Sequence, residues 1–284
     1  MPGTVPAKLA GFAATLALLL GAGALAGGLV DPDRGEPASA HGAEDSGATH
    51  SASGQEAAHA VRGLAVAENG LRLVVKTPEL RRDRSETLRF RVVDDDGEPV
   101  RNFDVEHTKR MHLIVARRDL SGFRHLHPRQ GADGVWTTTV RLSDSGSYRV
   151  FADFSHEDEA TTLAGDLRVD GAADLRPLPA PATTAVGDGG YEVRLDAGRV
   201  QPGREADLRF TVTKDGGAVH PEPYLGAGGH LVALREGDLA FLHVHPVDEG
   251  RFAATFPTEG RYRLFLQFKD AGRVHTVAFT QEVR

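Results

Sequence analysis

The sequence predicts an all-β chain built as two tandem antiparallel β-sandwiches, and three observations carry that prediction. Short apolar/polar alternations recur from about Val61 onward with turn residues between them and no helical period. The pattern of the first half returns in the second. The chain has 33 Gly and 15 Pro but only 6% aromatic residues, a turn-rich composition. With 284 residues and 40% apolar content it is long enough for one or two ordinary domains.

Taken in order, residues 1–30 carry a single charge, Lys8, and Leu9 to Val30 is almost entirely Ala, Leu and Gly before Asp31 and Asp33. This reads as an export signal or, at 22 apolar residues, as an uncleaved membrane anchor. Ala24-Leu25-Ala26 and Ala38-Ser39-Ala40 both fit a cleavage site. One positive charge before the segment and acidic residues after it place the body outside the cytoplasm. Localisation is therefore expected to be extracytoplasmic, secreted or anchored by the N-terminal helix. Residues 31–60, rich in Ala, Ser, Gly and Glu, read as a disordered tether, with His41, His50 and His59 incidental to it.

Residues 61–170 form the first predicted sandwich. Leu71, Leu73 and Val75 alternate, then Leu88, Phe90 and Val92, then Phe103 and Val105. A His-rich hairpin follows, then runs at Trp136–Val140, Tyr148–Phe154 and Leu163–Val169, with Asp96-Gly97 and Asp133-Gly134 as turns. Residues 171–184, with Pro177, Pro179 and Pro181, read as a semi-rigid extended linker. Residues 185–284 repeat the first sandwich. Val66, Leu88, Phe90, Val92 and Gly97 recur 120 positions later as Val186, Leu208, Phe210, Val212 and Gly217. Gly146, Tyr148, Phe151 and Phe154 recur 114 later as Gly260, Tyr262, Phe265 and Phe268. The shrinking offset is what small loop deletions in a tandem duplication leave behind.

Asp144-Ser145-Gly146-Ser147-Tyr148 has the form of a tyrosine corner, with Glu259-Gly260-Arg261-Tyr262 as its less complete copy. That makes both sandwiches immunoglobulin-like. Val150 and Leu264 stand where antibody domains carry Cys. The chain has no Cys at all, which excludes disulfides, thiolate metal sites and Cys nucleophiles. The formal net charge of −7 argues against a general nucleic-acid surface.

The hairpins carry the chemistry. In each, 13 positions separate a lone His from the first His of a His-x-His-Pro pair: His112 with His125 and His127, and His230 with His243 and His245. Side chains two apart on a strand share a face. An antiparallel hairpin also sets the lone His opposite one of the pair, Gly237-Asp238 being read as a two-residue turn. Opposed Cβ atoms lie about 4.5–5.5 Å apart, close enough for three imidazoles to reach one ion at about 2.0–2.1 Å. Three neutral imidazoles suit copper(II), with zinc as the alternative. Of the other histidines, His107, His156, His220 and His275 read as solvated loop residues, with His275 the best placed of the four to add a ligand. Met111 alternates to the face opposite His112.

The pattern Met-His-Leu-Ile-Val followed by Phe-x-His-Leu-His-Pro resembles that of exported bacterial YtkA-like and copper-resistance-type immunoglobulin-like proteins, here duplicated. The resemblance covers about residues 61–284. It implies extracytoplasmic copper handling as a binding or chaperone protein. The implied partners are the metal ion, a membrane-bound metal transporter or another exported protein, and the membrane itself if the N-terminal segment is uncleaved.

Two other classes fit parts of the sequence. Gly237-x5-His243-Val244-His245-x3-Glu249 resembles the opening of a cupin metal motif, but the first copy breaks it and no second half follows, so no enzyme is expected. Both faces of the hairpins are apolar: Ile114 and Phe123 lie with the His set, and Leu113, Val115 and Leu126 on the other face. Burial on both faces fits packing between the domains or a dimer. In that case the histidines serve as structural groups of a non-metal interaction or adhesion module. Asp94-Asp95-Asp96-Gly97 reads as a charged turn rather than a calcium loop.

Overall fold

The computed structural model describes residues 61–284, apart from the side chains of His243 and His245. The apolar segment at 9–30 and the polar stretch holding His41, His50 and His59 lie outside the described residues. No helix among the described residues is long and apolar enough to cross a membrane.

The first sandwich contains β1 (Ala67–Glu68), β2 (Leu71–Val75), β3 (Glu79–Leu80), β4 (Ser85–Val93), β5 (His112–Arg117), β6 (Arg124–Leu126), β7 (Arg129–Gln130), β8 (Trp136–Arg141), β9 (Gly146–His156) and β10 (Glu159–Val169). Its sheets run β1-β2-β4-β8-β7 and β3-β10-β9-β5-β6. The second contains β11 (Thr184–Val186), β12 (Tyr191–Asp196), β13 (Glu205–Lys214), β14 (Gly217–Val219), β15 (His230–Arg235), β16 (Phe241–His243), β17 (His245–Asp248), β18 (Arg251–Thr255), β19 (Gly260–Asp270) and β20 (Arg273–Val283). Its sheets run β11-β12-β13-β18-β17, with β14 beside β13, and β16-β15-β19-β20. This is the immunoglobulin-like arrangement twice over. One pairing departs from the antiparallel expectation. Pro78, which cannot donate to a ladder, lies between the end of β2 at Val75 and the start of β3 at Glu79, and β3 joins β10 in parallel.

Both tyrosine corners form. The Tyr148 hydroxyl donates to the Asp144 carbonyl at 2.7 Å, and the Tyr262 hydroxyl to the Thr258 carbonyl at 3.1 Å. Val150 and Leu264, at the positions of the absent cysteines, are buried in apolar contact. Tyr148→Phe is expected to cost about 0.5–1.5 kcal/mol, the net worth of one hydrogen bond. It should appear as a lower urea midpoint at unchanged slope.

The two sandwiches meet through the sheets that carry the His hairpins. Leu113 and Val115 of β5 point into the first core, and Leu231 and Ala233 of β15 into the second. The alternate residues, Ile114 and Ala116 on one side and Val232 and Leu234 on the other, form a third apolar cluster between the sheets. Phe123 stacks on Phe265 at 4.1 Å, and Phe151 meets Phe241 at 5.5 Å. Phe123 and Phe241 are repeat equivalents, as are Phe151 and Phe265, so the two contacts are reciprocal and relate the sandwiches by an approximate two-fold. Gly63 lies over this seam at φ +70, where a Cβ would come within 2.6 Å of the Phe241 Cβ. The apolar second face of each hairpin is thus consumed in packing one sandwich on the other.

The turn between β15 and β16 differs from the expectation. Arg235 and Ala240 close a longer loop over residues 236–239, with Arg235 N donating to Ala240 O at 3.0 Å. Leu239 sits in the left-handed region at φ 62. The index sum of the hairpin, and hence the face of each residue, is unchanged: Val232 still pairs with His243.

Candidate metal centre

His112 opens β5 directly opposite Asp153 of β9, and His125 lies on β6 opposite Ile114. The pairing would bring His127 level with His112, but β6 ends at Leu126 and the chain crosses there to β7 in the other sheet. Ring nitrogens of His112, His125 and His127 all lie within 4.8 Å of one another. His112 and His125 are closest, with Nδ1 of the former 3.0 Å from Nε2 of the latter. The three residues assigned from sequence to the first site therefore converge on the seam face. Met111 faces the core of the first sandwich.

The outer nitrogens of the close pair are both spoken for. His112 Nε2 lies 3.2 Å from the Glu106 carbonyl oxygen, which can only accept, so that nitrogen carries the hydrogen. His125 Nδ1 lies 2.6 Å from Gln267 Oε1, while Gln267 Nε2 donates to Thr276 Oγ1 at 3.1 Å. His125 Nδ1 then carries its hydrogen too. His112 Nδ1 and His125 Nε2 face each other across 3.0 Å, and the tautomers of the two rings set which of these nitrogens carries a hydrogen and which a lone pair. The spacing also suits two ligands of one cation. Two ligands at about 2.0–2.1 Å from a shared ion, at angles of roughly 90–110°, stand about 2.8–3.4 Å apart. His127 Nε2 is buried and makes no hydrogen bond within the protein. Reversing the Gln267 amide would move the His125 hydrogen to Nε2 and let it donate to His112, so Gln267 sets whether His125 offers a lone pair or a proton.

Burial, and then the neighbouring His112, push the His125 pKa down to about 3; burial, His112 and Lys109 push that of His127 to about 4. Both rings are neutral at pH 7, the form that ligates. In metal-free protein the unfolded chain takes up protons below about pH 6.5 that the folded chain refuses. Stability is therefore full above that pH. It is expected to fall as pH drops toward the folded values, by up to about 1.4 kcal/mol per pH unit for His125 and by less for the more solvent-screened His127. Urea unfolding between pH 7 and 4.5 checks this, and His125→Phe should flatten the slope.

The structure also brings in groups that the sequence assigned elsewhere or not at all. His230, read as part of a second site, stacks on His112 with centroids 5.7 Å apart and an interplanar angle of 6°, and lies 4.5 Å from the His125 ring. The His107 ring stands 6.1 Å from His112 and 6.3 Å from His230, carried by a turn in which His107 has φ 45. His243 sits opposite Val232 on β16, while His245 belongs to β17 and pairs with Ala253 in the other sheet. His275, the best placed of the remaining histidines by sequence, packs against Tyr191 and Phe268 on the core side of β20. His156 binds the Asn102 carbonyl, and His220 is an exposed partner of Glu249. Asp153 and Gln267 were missed. They are repeat equivalents, each buried and facing the seam, each bonded to an equivalent Thr, Thr162 at 2.6 Å and Thr276 at 3.1 Å. A polar residue at one position of both Phe-rich runs was the available signal. His107 had none, because its repeat equivalent is Leu225.

Fold and site together define a tandem immunoglobulin-like protein with a buried imidazole cluster in the seam between its sandwiches. The chain belongs to the family described as Domain of unknown function (DUF8832), whose model matches residues 65–171 and 183–284. No curated protein sequence matches it. Among solved structures it is similar to the Escherichia coli adhesin FdeC, at 14% identity over 78% of this chain and 66% of that one, with a TM-score of 0.28. It is also similar to a Salmonella alpha-2-macroglobulin, at 15% identity over 79% and 15% of the two chains, TM-score 0.28. The tandem Ig repeats of Dlar match at 9% identity over 75% and 97%, TM-score 0.22. The chain spans about two thirds of the adhesin chain and about 15% of the macroglobulin. Likenesses at these scores carry no argument about function. The immunoglobulin-like assignment stands on the strand order and the two corners.

Proposed function

We propose that this chain is an extracytoplasmic transition-metal-binding or chaperone protein, with copper the favoured ion and zinc the alternative. One observation carries the reading: the convergence of three imidazoles, with His112 Nδ1 and His125 Nε2 3.0 Å apart and the buried, unbonded Nε2 of His127 beside them. Imidazole donors without thiolate suit copper(II) and zinc. The Asp153 carboxylate, opposite His112, offsets the charge of an ion at the seam. His230 comes from the second sandwich, so the reading is one locus shared between sandwiches rather than one confined to each. The role of His243 and His245 remains a proposal on their repeat positions. Export rests on the apolar run at 9–30, and the partners proposed are a membrane-bound metal transporter or another exported protein. A binding rather than catalytic role is proposed on the incomplete cupin-like motif of the sequence.

Equilibrium dialysis of the full chain against copper(II) or zinc, with metal analysis afterwards, tests the reading. A tightly retained ion is expected, with affinity falling as pH drops because protons compete for the ligands. Absence of retained metal would overturn it. Gln267→Leu, which frees His125 to turn, is expected to weaken binding about 10–100-fold.

A second reading is favoured by the same burial. The cluster sits amid the apolar seam, and His125 is hydrogen-bonded on both ring nitrogens, as a structural group of a non-metal interaction or adhesion module would be. Dialysis separates the two, since a purely structural cluster retains no ion.

A further inference from the structure

A different part of the second sandwich is open where the first is filled. Backbone bonds fix the equivalence of the two. Asp104 N donates to Ser155 O at 3.0 Å, and Glu222 N to Lys269 O at 2.8 Å. The bridge Glu106↔Lys109 recurs as Tyr224↔Ala227. Phe103 is thereby matched by Pro221 and Met111 by Gly229. Trp136 pairs with Phe90, and at the equivalent of that position Gly250 O accepts from Phe210 N at 2.7 Å. In the first sandwich Phe103 packs edge-on against Trp136 at 5.1 Å and Phe154 at 5.2 Å, beside buried Met111. Three large side chains of the first core are therefore Pro, Gly and Gly in the second.

The result is a cavity of about 280 Å³. Its walls are the buried Phe210, Phe252, Leu266 and Phe268. Its mouth is polar: His220 Nδ1 and Glu249 Oε1, both exposed, stand 3.3 Å apart. Backbone keeps the space open. A Cβ on Gly250, at φ +71, would lie 2.6 Å from the Phe210 carbonyl oxygen, and one on Gly228 would lie 3.0 Å from Glu249 Cα. An engineered apolar cavity of about 150 Å³ holds benzene, and drug-sized ligands need about 300–1,000 Å³. The volume fits one fused or substituted ring and little more.

We propose that this cavity binds a small aromatic molecule bearing a hydrogen-bond donor, with its ring among the four apolar walls and its donor toward the Glu249 carboxylate. The first sandwich supplies the argument for the occupant. The matching space there is filled by an indole, a benzyl ring and a thioether of the chain itself. The site stands apart from the imidazole cluster, although its Gly228 wall lies two residues before His230, at the start of the strand that carries that ring.

Indole is the probe. The full chain is titrated with indole by calorimetry, with the Leu266 methyl resonances followed in parallel. Saturable one-site binding that shifts those methyls is expected. Pro221→Phe, which restores the residue of the first sandwich, is expected to weaken binding at least tenfold. Ala218→Leu, at the exposed mouth, serves the same purpose should the first variant fail to fold. No saturable binding, or binding equal to wild type in the folded blocking variants, would overturn the proposal.

Discussion

Arg117→Met is expected to destabilise the chain by about 3–5 kcal/mol, the cost of removing one partner from a buried ion pair. Arg117 is 1% exposed, with its Nη1 2.9 Å from Asp119 Oδ2, a carboxylate 3% exposed. The same guanidinium donates from Nε and Nη2 to the Ser145 carbonyl at 2.9 and 2.6 Å, and from Nη1 to the Asp174 carbonyl at 2.8 Å. One side chain thus ties the end of β5 to the tyrosine-corner loop and to the linker. Burial alone would raise the Asp119 pKa. The Arg176 N–H, both donors of Ser121 and the charge of Arg117 outweigh it and hold the carboxyl below its usual range. Met keeps much of the apolar stem but leaves that charge buried beside nothing cationic. Chemical denaturation of wild type and variant measures the difference. A loss under about 1 kcal/mol would mean that water reaches Asp119 more readily than its burial implies.

His125→Ala is expected to weaken metal binding by roughly two orders of magnitude or more, since loss of an outer-sphere partner alone costs about 10–100-fold. The residue supplies the nitrogen nearest His112, and Gln267 of the other sandwich orients it. In metal-free protein the same change removes a neutral buried ring whose protonation opposes folding. Acid sensitivity between about pH 6.5 and 4 should therefore lessen even as metal affinity collapses. The two effects have opposite signs for function and for acid tolerance, which separates a ligand from a structural histidine: the latter would alter stability and leave metal retention untouched.

Much of the fold was legible because strand alternation and duplication reinforce each other. The offsets between repeats located the loop deletions, and the spacing Asp144-x-Gly146-x-Tyr148 anticipated the corner bond now seen at 2.7 Å. The common face of His112, His125 and His127 followed from a period of two. The partner of that face did not follow, because Ile114 and Leu113 are equally apolar and a single strand does not say which neighbour covers which side. Packing between the sandwiches decided it, and with it the place of His230. Gln267 reaches His125 across 142 positions, a contact no local pattern encodes. His275 stands away from the cluster for a related reason: its neighbours Thr276 and Ala278 face the seam, which turns the ring itself toward Tyr191 and the second core.

The account rests on one ion held between the His112 Nδ1 and His125 Nε2 atoms with His127 beside it. Anomalous diffraction at the metal edge from crystals grown with copper(II) or zinc tests that most directly. The predicted result is a peak about 2.0–2.1 Å from both nitrogens. A map empty at that position, from crystals in which these imidazoles keep their separation of 3.0 Å, would contradict it.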